Sequence, residues 1–76
     1  MNMDRDDFLE VLERQYRDVI REAMIECEHN NIIQVNEFAK KLKELNRVAQ
    51  IEGFPSSEFW GIVEELCPEL YPELVS

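Results

Sequence analysis

Glycine and cysteine are nearly missing from this 76-residue chain, with two of each. Two glycines cannot supply a glycine-rich phosphate loop, and no serine, histidine and acid follow one another in a nucleophile's order. Cys27 and Cys67 fall short of the four or more closely spaced cysteines of a small secreted disulfide scaffold. His29 is the single histidine. A structural zinc ion wants four ligands, whereas Cys27 and His29, two residues apart, point ~200° from each other on a helix. No apolar run approaches the ~18 residues of a membrane span. The opening stretch, Met1 to Asp7, is charged and lacks the apolar segment of a secretory signal. The expectation is a reduced, cytoplasmic, non-enzymatic protein with no metal, cofactor or membrane association.

Positive charge is the other scarcity. Eight bases face 17 acids, for a net charge of −9, and residues 53–76 hold five acids and no base. Such a surface repels phosphate backbones and anionic lipids and favours basic partners, so direct DNA or RNA binding is not expected. The rest of the composition favours folding. A hydrophobic content of 45% with four Phe, two Tyr and one Trp is too rich for a disordered acidic tail. The length predicts one small domain over residues 1–76, near the lower end of what folds alone.

From about Arg5 to Glu28 the chain has neither Gly nor Pro and keeps a helical apolar rhythm. Phe8, Leu9, Leu12, Tyr16, Val19, Ile20, Ala23, Met24 and Cys27 fall within an arc of about 160°. Asp4, Asp6 and Asp7 at the start complement the helix dipole. Val11 and Ile25 project from the solvent side. A rod of roughly 36 Å exceeds the ~30 Å diameter expected of a spherical globule of this length. An overhanging amphipathic rod favours association, and the expected assembly is a homodimer in which first helices pair and bury their ends.

His29-Asn30-Asn31 is read as the helix stop, since Asn tolerates the left-handed backbone. Ile32 to Val35 is read as an extended connector, because no partner strand is evident. Asn36 is the expected N-cap of a second helix over Glu37–Glu52, with Phe38, Leu42, Leu45, Val48 and Ala49 facing inward. Gly53 sits where a C-cap belongs. Ser56 or Ser57 is expected to cap a third helix, Glu58 to Leu66, with Phe59, Ile62, Val63 and Leu66 inside. Pro68 and Pro72 predict a kinked or extended tail that drops Leu70, Tyr71 and Leu74 onto the core. The fold class is therefore all-α: one long and two shorter helices, bundle-like, with a proline-broken tail.

Helices two and three resemble a helix–turn–helix in spacing only. A recognition helix needs donors for base edges and phosphates, and Glu58, Trp60, Glu64 and Glu65 offer no Lys or Arg. Trp60 reaches either the core edge, the commoner outcome, or a neighbour's surface, where aromatic residues dominate interface energetics. Lys40, Lys43 and Arg47 form the cationic face of helix two, suited to docking the acidic tail of its own chain or of a second copy. The functional expectation is a regulatory or adaptor module binding itself and a basic protein. Its candidate contact residues are Tyr16, Trp60, Glu64, Glu65, Lys40, Lys43 and Arg47. The alternatives are an acidic nucleic-acid mimic encoded by a mobile element and, third, an accessory subunit of an enzyme.

Overall fold

Most of the apolar stripe on the first helix finds its cover within the same chain. The computed structural model describes residues 5–75, so Asp4, assigned to the helix start, lies outside the described residues. Helix α1 spans Arg5–Glu26. It leads into two short strands, β1 (Glu28–His29) and β2 (Ile32–Ile33), and then into α2 (Val35–Glu52), α3 (Ser56–Leu66) and the one-turn α4 (Tyr71–Leu74).

The two strands correct the expected connector. Glu28 pairs antiparallel with Ile33 and His29 with Ile32, leaving Asn30-Asn31 as a two-residue loop. Both asparagines adopt positive φ, 55° and 66°, as a type I′ hairpin turn requires. The left-handed tolerance of Asn thus turns a hairpin rather than closing α1. The start of α2 also differs from expectation. Gln34 donates its N–H to the Cys27 carbonyl at 2.8 Å while its own carbonyl accepts from Phe38 at 2.9 Å. The exit from the hairpin thereby sets the helix start at Val35, and Asn36 lies inside the helix instead of capping it.

The end of α2 follows the sequence. Gly53 takes φ 99°, its N–H bonds the Gln50 carbonyl at 3.0 Å, and the Phe54 N–H bonds the Ala49 carbonyl at 2.8 Å. This is a Schellman closure, and the two residues its longer bond joins, Phe54 and Ala49, are both buried. At the next helix the flanking residue is Pro55, whose carbonyl accepts from Glu58 and Phe59, so Ser56 begins α3 rather than capping it. The tail is not extended: Pro72 falls in the first turn of α4, where a missing N–H costs no helical bond. Leu74 is fully buried there, while Leu70 and Tyr71 are half-buried.

Four contacts fix the bundle's direction. The Tyr16 hydroxyl meets Glu52, and Lys41 bonds Glu26, so α2 runs antiparallel to α1. Tyr16 lies edge-on to Phe59 and Arg17 bonds Glu65, so α3 runs along α1. Leu12, Tyr16, Ile20, Ala23 and Cys27 are buried between them, with Phe38, Leu42, Phe59, Ile62 and Val63 opposite. On α2, Leu45 is only partly covered and Val48 is exposed, contrary to the expected inner face.

The sphere assumed for the length comparison is replaced by an elongated body of 47 × 22 × 19 Å with a radius of gyration of 13.0 Å. An elongated body can lay α2 along α1, which shelters the stripe without a partner chain. Apolar surface persists at its first turns, where Phe8 is 43% exposed and Val11 49%. Even there the Phe8 ring reaches the connector, its Cε1 lying 3.7 Å from where a Cβ on Gly53 would stand.

Candidate interaction surface

Tyr16 belongs to the core, which corrects its assignment to a contact surface. Its ring stacks on Phe54 at 5.4 Å with 12° between planes and meets Phe59 edge-on at 6.1 Å. The phenol donates to Glu52 Oε2 at 2.7 Å. Burial first, and then the Glu52 carboxylate, push its pKa up to about 12. The physical reason is the same stripe that suggested pairing: Tyr16 lies at its middle, where α2, α3 and their connector converge.

Trp60 takes the core-edge position, half-buried and edge-on to Phe59 with ring centroids 5.3 Å apart. Glu64 is exposed. Glu65 is also exposed but engaged: Arg17 donates to it at 2.9 Å and to Glu13 at 3.1 Å. The guanidinium holds the Glu65 carboxyl below the usual carboxylate range. Trp60 and Glu64 are therefore on or near the surface, whereas Glu65 steadies α3 against α1.

Lys40 and Lys43 line a shallow depression of about 330 Å³ together with Asn36, Ala39, Glu73 and Leu74. The acidic tail of the chain thus lies against its own cationic helix face. Arg47 continues that face beyond the tail and is exposed. Next to it around α2, and sharing Lys40, a depression of about 410 Å³ is lined by Glu26, Cys27, Glu37, Lys40, Lys41 and Glu44. Acids answer the bases there as well: Lys41 bonds Glu26, and His29 Nε2 lies 3.1 Å from Glu37 Oε2. Cys27 and Cys67 are free, buried thiols. Burial is the main cause raising the pKa of each, which makes them poor nucleophiles. Among the described residues no three His, Cys, Asp or Glu side chains gather closely enough to hold a metal ion.

A further depression, of about 300 Å³, differs in kind. Met24, Ile33, Leu66, Cys67, Pro68, Glu69 and Leu70 line it, so six of its seven residues are uncharged and the seventh is acidic. It opens where the ends of α1 and α3 meet β2 and the turn before α4. Sequence reasoning missed it because its residues lie up to 46 positions apart, between Met24 and Leu70. The available signal was that Met24, Leu66 and Leu70 all stand at the ends of inward-facing apolar series. In comparison with known proteins, the chain matches no protein-family model, no curated protein and no solved structure.

Proposed function

We propose that this protein is a non-catalytic regulatory or adaptor module that acts by binding other proteins and needs no cofactor. The observation supporting this reading is the apolar depression at the end of the bundle. It is formed largely by a segment, residues 53–76, that carries acids and no bases. A recess of this chemistry suits an apolar side chain flanked by Lys or Arg, with the apolar group providing affinity and the charges orientation. Self-association belongs to the same proposal, but α1 gives a paired-helix homodimer little support: its exposed large apolar side chains are Phe8 and Val11 at the first turns and Ile25 near the end, with the covered Leu12, Tyr16 and Ile20 between them.

The test is affinity capture from native cell lysate at low and high salt, comparing the natural chain with Glu69→Lys and Leu70→Gln. The expected result is a captured protein whose yield drops about tenfold with either substitution, the equivalent of ~1.4 kcal/mol. Capture unchanged by both substitutions would remove the depression from the reading. A chain that retains nothing specifically at either salt concentration would overturn the reading itself.

A further inference from the structure

Helix α2 carries a surface complementary to the apolar depression of its own fold. At 100° per residue, Lys40, Lys43, Arg47 and Ile51 lie within an arc of about 80°, directly opposite the buried Phe38, Leu42 and Ala49. All four are exposed, and Ile51, at 81%, is the most exposed large apolar side chain among the described residues. The stripe is therefore basic along most of its length, with a bare aliphatic side chain at its end. Lys40 and Lys43 face the chain's own Glu73 across one depression, whereas Arg47 and Ile51 lie beyond it.

The depression between α1 and α3 has the opposite character. It is apolar, carries Glu69 at its lining, and includes no residue of α2. Its volume of about 300 Å³ amounts to several waters at ~30 Å³ each, room for the end of a branched aliphatic side chain. The two surfaces do not overlap, so one molecule can use both at once.

We propose that a second copy of this chain occupies the depression, seating its Ile51 against Met24, Ile33, Leu66 and Leu70 and directing its Arg47 to Glu69. The inference deepens the interaction reading by naming self-association as one use of the same site. Charge complementarity selects the occupant. The molecule as a whole repels its copies at −9; Arg14, Arg17, Arg21 and Lys41 each pair with an acid of their own chain, whereas exposed Arg47 has no such pair among the described residues and is left to approach Glu69. The contact joins two different patches, so it is heterologous and propagates head to tail instead of closing as a two-fold dimer.

The test is analytical ultracentrifugation over a concentration range from about 10 μM to 1 mM, the range in which a small, weak interface is populated. The expected result for the natural chain is an average mass that rises steadily with concentration past the dimer. Ile51→Gln and Glu69→Lys, both at exposed positions, should each sediment as monomers when alone. Mixed in equal amounts, they should form a heterodimer and nothing larger. The first retains an intact depression, the second an intact Ile51, and only one junction can form between them.

A natural chain that stays monomeric throughout would overturn the inference while leaving capture of other proteins intact as a separate result. Assembly unaffected by Ile51→Gln would overturn it too, pointing to the Phe8 and Val11 end of α1. So would a mixture that fails to restore the heterodimer. Leu70→Gln serves as a second depression variant and should behave as Glu69→Lys does.

Discussion

The hydrogen bond between Tyr16 and Glu52 gives the fold a calculable response to alkaline pH. Tyr16 is 3% exposed, lies between Phe54 and Phe59, and donates to a carboxylate at 2.7 Å. Ionising the phenol would create a buried anion beside a second anion, which is why its pKa rises from 10.0 to about 12. Below pH 10 the folded and unfolded chains both hold this proton, and the contact contributes fully. Between pH 10 and 12 the unfolded chain alone loses it, so stability falls; above 12 the loss is complete. Two units at 1.36 kcal/mol each give about 2.7 kcal/mol, a large part of the ~4–11 kcal/mol expected for a domain of this length. Urea unfolding of the natural chain and of Tyr16→Phe, repeated from pH 8 to 12, isolates this effect because lysines titrate in both. The stability difference between the two should shift against the natural chain by about 2–3 kcal/mol across the window. Ultraviolet absorbance should show one phenol ionising late. A difference that stays flat with pH, or a phenol at Tyr16 that ionises near pH 10, would refute the placement of Tyr16 in a dry aromatic cluster.

Other positions test other parts of the fold. Gly53→Ala should cost about 1–2 kcal/mol in urea unfolding, because φ 99° penalises any Cβ while the nearest side-chain atom, at 3.7 Å, leaves room for one. Asn31→Gly should stabilise the hairpin by a few tenths of a kcal/mol and Asn31→Val destabilise it by ~1–2 kcal/mol, since φ is 66° there. Native Cys27 and Cys67 should react with a thiol reagent at least ~100-fold more slowly than in denaturant, because both are buried and both thiols are held neutral. Rapid labelling of Cys67 in native buffer would show that the turn before α4 opens readily.

Periodicity was enough to find the three long helices and most of the core, because burial of a helix face leaves its mark at every third or fourth residue. Leu12, Tyr16, Ile20, Phe38, Leu42, Phe59, Ile62 and Val63 are all inside as their spacing requires. The Gly53 cap was legible for a local reason, since only a few residues tolerate its backbone. Boundaries set by neighbours were not legible. Asn36 has the chemistry of an N-cap, but the bond from Gln34 to Cys27 fixes the helix start two residues earlier than Glu37, at Val35. Asn30-Asn31 fits both a helix stop and a hairpin turn, and only pairing of Glu28 with Ile33 decides between them. Of the candidate contact residues, Tyr16 was misplaced because amphipathicity marks a face for burial without saying what covers it. Lys40, Lys43 and Arg47 were legible as one face because a helix alone sets their relation.

The mismatch in element lengths explains where the apolar depression falls. Helices of 22, 18 and 11 residues are roughly 33, 27 and 16 Å long, so α3 covers only about half of α1. At the amino-terminal side the shortfall is met by the connector, with Phe54 buried and the Phe8 ring lying over Gly53. At the other side it is met by the hairpin and by the turn into α4, which approach Met24 from β2 and from Cys67–Leu70 without closing over it. Surplus apolar surface on the long helix thus remains in two places, at exposed Phe8 and Val11 on its first turns and at the junction where α3 stops. An added helical turn at the end of α3 would be expected to fill that junction. The same insertion should therefore raise stability and abolish head-to-tail assembly together, an outcome that a purely structural depression would not produce.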